Sequence, residues 1–320
     1  METNVVCAKC GAINIENAKF CNNCGSEIAI INKASTSSDT QNKKSKKPII
    51  IGIASVVAIF LIVLFAVIIP KSGNNAIKKK FKNLSIGDTV TFGKYEQDIT
   101  YAQDGKEDIE WIILDIEGDS YLLISKYGLD AKPFNYQVEE DSENPDYVTW
   151  ETCSLREWLN NDFYKEAFTD TEKSYISKTY VEGQDNYVSG AEGGNDTYDK
   201  LFALSLLEVE HYLGSEKARA CNATDYAKQQ GVRVAQNGTC NWWLRTPGRN
   251  QGRAVDIEKY DLMEGQILIN AGEINYQGTA ALKRTYAVRP VMWININGDT
   301  DAKQNLMPTQ GDRVYGIGDM

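Results

Sequence analysis

"NGTCNWWLRTPGRN", residues 237–250, sets two adjacent tryptophans against Leu244, Arg245 and a Thr-Pro-Gly turn. On an extended strand, neighbouring side chains point to opposite faces, so Trp242 and Trp243 need two different environments. One is expected in the core, and the other is a candidate ligand platform. Arg245 shares a face with Trp243, and a guanidinium beside an indole suits an anionic or sugar ligand. The competing reading pairs Arg245 with a local carboxylate and gives it a loop-organising role. Either way the stretch reads as a strand meeting a turn.

Working outward, the patterns around it mix strands and short helices. "TVTFGKYE" is β-rich, and "IEWIILDIEGDSYLLISKY" (109–127) is two strand-like runs around a Gly-Asp-Ser turn, the pattern of a hairpin. Ser154 with Glu157, Thr169 with Glu172 and Ser205 with Glu208 are spaced as capping boxes, each opening a helix. In the first of these, Leu155, Trp158, Leu159 and Phe163 fall on one face. "TDYAKQQG" ends on Gly231, a C-terminal cap. Short strands return at "RAVDIE", "GQILI" and "YAVRPVMWINI". Strands and helices without regular alternation predict an α+β fold. "VEEDSENPDYVTW" and "VEGQDNYVSGAEGGNDTYDK" are expected to be surface loops.

The charge is divided unevenly along the chain. Residues 1–82 hold 12 basic and 4 acidic residues, whereas the rest of the 320-residue chain holds 22 basic and 40 acidic. So acidic a region repels nucleic acid and anionic lipid, which excludes DNA or RNA as its partner. The boundary is "IIIGIASVVAIFLIVLFAVII", residues 49–69, uncharged and bracketed by Pro48 and Pro70. At about 1.5 Å per residue such a helix spans the ~30 Å apolar interior of a bilayer. The alternative, a buried core helix, seldom runs this long without a polar face. Lysines flank the run on both sides, so the positive-inside rule leaves its orientation tied. These features divide the chain into a segment at 1–30, a flexible basic linker at 31–48, a transmembrane helix at 49–69 and a stalk at 70–83. An outer domain at 84–298 and a tail at 299–320 complete it.

The first segment contains Cys7, Cys10, Cys21 and Cys24, two C-x-x-C-G knuckles ten residues apart. Four thiolates delivered by two tight bends suit tetrahedral, structural Zn²⁺. In so short a segment the metal supplies the folding energy that a hydrophobic core cannot. Two disulfides, or a redox pair, are the alternatives. The stretch resembles the zinc ribbons that begin many bacterial membrane proteins. Zinc thiolates need a reducing compartment, which places the ribbon in the cytoplasm and the larger domain outside the cell.

For catalysis, the outer region offers a single histidine, His211, with no nucleophile elbow, and neither a P-loop nor a dinucleotide fingerprint. A packed or surface imidazole is the expectation. Cys221 and Cys240 bracket a helix and a return loop. They are a candidate disulfide, worth about 3 kcal/mol if unstrained. Cys153 is expected to be a small buried hydrophobe.

The ordered set "SLREWLNNDFYKEAFTDTEKSYI", "LFALSLLEVEHYL", "CNATDYAKQQGV", "NWWLRTPG" and "YAVRPVMWINI" resembles a bacterial extracytoplasmic domain family of unknown function. Its members are frequent in Gram-positive anaerobes and often carry a zinc ribbon and a membrane helix. That resemblance implies a C-type-lectin-like scaffold, similar to that of formylglycine-generating enzymes. In it "WWLRTPG" and "VRPVMWI" would be paired late strands building the ligand face. The paired late cysteines of the oxidases and the Glu-Pro-Asn and Trp-Asn-Asp triplets of calcium lectins are missing, so only the scaffold carries over. The sequence thus predicts a membrane-anchored binding module with Trp242, Trp243 and Arg245 as its ligand contacts. Its partners would be the lipid bilayer, an envelope glycan, peptide or surface protein outside, and a cytoplasmic protein at the ribbon. The rivals are an envelope enzyme using outer-domain carboxylates and a purely structural envelope component.

Overall fold

The computed structural model describes residues 4–6, 13–15, 76–100, 104–136, 147–258, 261–263, 266–269, 271–281, 285–298, 300 and 303–304. The four ribbon cysteines, the linker and the apolar run at 49–69 lie outside them. Among the described residues no helix is long and apolar enough to cross a membrane. The chain divides into two compact units, Met1–Phe60 and Leu61–Met320. In the first, β1 (Asn4–Val6) pairs antiparallel with β2 (Ile13–Ile15). The register sets Val6 opposite Ile13.

The second unit is mixed α and β, with strands predominating. It begins earlier than the composition suggested. Residues 76–81 form a helix, α1, inside the expected stalk, and Phe81 is fully buried in the core. The lysines around it masked one apolar anchor. The unit also runs past its expected end, because β16 (Lys303–Gln304) pairs parallel with β7 (Thr179–Val181), which pairs in turn with β8 (Thr197–Asp199).

Two larger sheets organise the core. One is antiparallel, ordered β15-β5-β4-β3 from Val291–Asn295, Ser120–Ser125, Glu107–Glu117 and Thr89–Tyr95. Its β4–β5 hairpin turns at Gly118, whose φ of 59° suits a residue without a Cβ. The other is ordered β13-β10-β9-β14-β6, from Glu273–Ala280, Arg253–Glu258, Trp242–Pro247, Thr285–Val288 and Asp130–Pro133. The β9–β14 contact is parallel, through Ala287 and Trp242. A small hairpin joins β11 (Asp261–Met263) to β12 (Gln266–Ile269). "YAVRPVMWINI" is therefore not one strand. Pro290 cannot donate to a ladder, and at Arg289-Pro290 the chain leaves the second sheet for the first. Only its first half borders "WWLRTPG", which corrects the expected late pairing.

The helices pack against strands of these sheets. α2 (Ser154–Trp158) continues through a π turn (Leu159–Phe163) into α3 (Tyr164–Ala167), burying Leu155, Leu159 and Phe163. Its cap is Cys153, whose Sγ accepts the Arg156 N–H at 3.4 Å, rather than Ser154. Both other capping boxes form. Thr169 with Glu172 opens α4 (Asp170–Lys173), and Ser205 with Glu208 opens α5 (Leu206–Tyr212). Two further short helices, α6 (Glu216–Arg219) and α7 (Asp225–Gln229), follow, and α7 ends before Gly231 at φ 118°.

Candidate functional site

β9 is the middle strand of the five-stranded sheet, and all six of its residues are buried. Trp242 donates its indole N–H to the Arg219 carbonyl at 3.1 Å and lies under the Arg289 guanidinium, 4.9 Å from its ring centre. Trp243 donates to the Lys132 carbonyl at 2.9 Å, stacks on Tyr286 at 4.5 Å and meets the edge of Phe134. The sheet is covered on both faces here, so opposite side-chain directions lead to two core environments. Arg245 forms a bidentate ion pair with Glu208, through Nη1 to Oε2 and Nη2 to Oε1 at 3.0 Å. Its Nη1 also donates to the Ala203 carbonyl at 2.8 Å. Both side chains are about 1 % exposed. Trp242, Trp243 and Arg245 thus do not form the expected exposed ligand platform; Arg245 takes the organising role that was its alternative. Glu208, which also accepts the Ser205 N–H at 2.7 Å, locks α5 to β9.

Cys221 and Cys240 come together, but as free buried thiols rather than as the expected bridge. The Cys240 N–H and Sγ–H both point at the Cys221 carbonyl, at 2.8 and 3.3 Å. The Cys221 thiol is held below its ordinary range, chiefly by the Cys240 side chain, with burial opposing and Arg289 assisting. Cys153 is buried as expected, and burial pushes its thiol up to about 12. His211 lies on α5 with a buried Nδ1 that lacks a hydrogen-bond partner among the described residues, its ring edge-on to Tyr212.

The groups that do reach the surface lie elsewhere. The loop expected to be a simple surface connection is pinned by Asn186, which is fully buried. Its Nδ2 donates to the carbonyls of Pro247, Gly248 and Tyr276 at 2.8, 3.1 and 3.0 Å. Its Oδ1 accepts the N–H groups of Val188 and Ser189 at 2.9 and 3.1 Å. The turn so fixed presents Tyr187 and Val188, 42 % and 50 % exposed. Tyr187 donates to Glu210 Oε1 at 2.7 Å, and Tyr276 donates to the same oxygen at 3.0 Å. Burial, and then the bond to Glu210, push the Tyr187 hydroxyl above its ordinary range. Three elements (the loop, α5 and β13) therefore meet at one carboxylate beneath an exposed aromatic ring. Sequence reading missed this group because its members are separated by more than twenty residues; the only local signal was a tyrosine inside a Gly- and Asn-rich stretch.

A second cluster sits where β3 passes into β4. Glu96, Asp98 and Glu107 place one carboxylate oxygen each within 4.8 Å of one another. The acidic spacing of "EQDITYAQDGKE" was visible but looked ordinary in so acidic a region.

Geometry thus defines a mixed α+β domain with a locked tryptophan strand and two partly buried clusters of side chains. Residues 118–296 match the family model described as a domain of unknown function, DUF6273, and residues 6–28 match the zinc-ribbon domain. The first match covers more than half of the chain, and the chain belongs to that family. No curated protein and no solved structure matches.

Proposed function

We propose that the chain is a single-pass membrane protein that recognises a ligand at the outer face of the cell envelope, without turnover. The ribbon holds structural Zn²⁺ on Cys7, Cys10, Cys21 and Cys24 in the cytoplasm. Residues 49–69 cross the bilayer, and the acidic domain, on a lectin-like scaffold, faces outward. The ribbon match and the thiolate chemistry support the metal and its compartment. The uncharged 21-residue run supports the span.

The observation that carries the recognition reading is the Tyr187–Glu210–Tyr276 group on its pinned loop. A rigid exposed aromatic ring costs little entropy to use, and a carboxylate beneath it accepts hydrogen bonds only. That pair of features fits a hydroxyl-rich ring, and an envelope glycan is the ligand class we assign. Isothermal titration of the full-length chain with soluble oligomers of N-acetylglucosamine tests this. Tyr187→Ala and Glu210→Gln should each weaken binding about tenfold, the effect of losing ~1.4 kcal/mol. Binding left unchanged by both variants would contradict the assignment, as would a chain that binds a peptide and not the glycan.

A further inference from the structure

We propose that Glu96, Asp98 and Glu107 form a calcium site that closes the β3–β4 corner. Three observations meet there. The first is spacing: three carboxylate oxygens lie within 4.8 Å of one another. Oxygens bound to one Ca²⁺ at about 2.4 Å lie on a sphere whose diameter is close to 5 Å, so the three oxygens are near enough to share an ion. Three carboxylates this close without a cation repel one another strongly.

The second observation is an orphaned oxygen. Glu96 is 8 % exposed, and its Oε1 is buried with no hydrogen-bond partner among the described residues. A buried carboxylate oxygen normally finds a donor, because leaving it bare costs about 1–3 kcal/mol or more. The other members are already oriented by local bonds. Glu107 Oε2 accepts the Gln97 N–H at 2.8 Å, and Asp98 Oδ1 accepts both the N–H and the hydroxyl of Thr100, at 2.5 and 2.7 Å. The Thr100 hydroxyl also lies 2.9 Å from Asp104, which brings a fourth carboxylate to the rim.

The third is the commitment of neighbouring cations elsewhere. Lys94 pairs with Asp108 at 2.9 Å, and Lys106 pairs with Glu166 at 3.1 Å. Oxygen-only donors in a loop favour a hard cation, and the flexible coordination number of Ca²⁺ fits a loop better than the strict octahedron of Mg²⁺. Bound calcium would fix the loop whose Gln97 carbonyl accepts the Tyr226 N–H at 3.1 Å, tying the corner to α7.

Thermal unfolding of the full-length chain in detergent, followed by tryptophan emission, tests the proposal, since all six tryptophans lie between positions 111 and 293. Calcium chloride should raise the melting temperature saturably, with half-effect at about 0.1–1 mM as in extracellular calcium modules, and EGTA should reverse it. Magnesium at the same concentration should give the smaller rise. Glu96→Gln and Glu107→Gln should each move the half-effect upward by about tenfold or more. Asp98→Asn, at a more accessible position, decides the matter if a buried variant does not fold. Asp196→Asn, whose carboxylate is bonded to Tyr180 and Gly183 and is not part of the cluster, should leave the calcium response intact. The proposal is overturned by no response up to about 10 mM calcium, or by an identical response in the three site variants.

Discussion

Two buried glutamates in this domain have opposite fates. Glu208 is enclosed between α5 and β9, where a bidentate arginine and a backbone N–H satisfy it from within the chain. Glu96, 8 % exposed at the β3–β4 corner, has two more carboxylates beside it, and one of its oxygens lacks a partner among the described residues. A buried charge is tolerated only when it is paired, so the first arrangement is complete and the second calls for a cation from outside. The comparison separates residues that hold the fold from residues that face a ligand. Trp242, Trp243 and Arg245, the most conspicuous motif in the sequence, fall on the structural side.

The largest effect expected from this contrast is at Arg245. Arg245→Met leaves Glu208 charged, buried and unpaired, and should cost about 3–5 kcal/mol in denaturant unfolding. A companion Glu208→Gln change should recover part of that loss; if the double variant is no better than the single, the ion pair is not the lock between α5 and β9. Next comes Asn186→Ala. Removing an amide that serves three carbonyls and two N–H groups should cost about 1–3 kcal/mol and also impair glycan binding through Tyr187. Unfolding midpoint and titration should therefore change together.

A third buried acid, Asp256, lies between these extremes. Asn275 donates to its Oδ1 at 3.2 Å, while its Oδ2 has no partner among the described residues. Burial, and then the Glu258 charge, raise its carboxyl well above the ordinary range, against the bonds from Thr279 and Asn275. A folded-state value above the unfolded one makes the protonated form the stabilising one. That contribution is complete below the unfolded value of about 4 and is lost as pH rises through the folded value. Asp256→Asn should remove this downward slope and be the more stable protein at neutral pH; parallel curves for the two proteins would refute the assignment. The smallest effect belongs to Tyr187→Ala. At an exposed position it should move stability by no more than about 0.5 kcal/mol while weakening glycan binding, and a large stability loss would place Tyr187 among the structural residues.

What the sequence made legible was mostly local. The capping boxes at Thr169 and Ser205, the hairpin around Gly118 and the stop at Gly231 each depend on residues a few positions apart, and each forms. Pairings across the chain were hidden. Nothing near Arg245 named Glu208, 37 positions away, as its partner. The switch of sheets at Arg289-Pro290 interrupts an apolar run that reads as one strand, and Phe81 anchors α1 from within a lysine-rich segment. The two side-chain clusters were illegible for the same reason. Tyr187, Glu210 and Tyr276 meet only after three elements have packed, and Glu96 becomes unusual only once it is buried.

Calcium at millimolar levels and envelope glycans are met on one side of a bilayer, and zinc thiolates persist on the other, so the account depends on which way the chain faces. Epitope tags at the two ends of the chain, probed with antibody on intact and on permeabilised cells, measure this directly. The account predicts that the carboxyl-terminal tag is stained in intact cells and the amino-terminal tag only after permeabilisation. Staining of the amino-terminal tag alone in intact cells would contradict it.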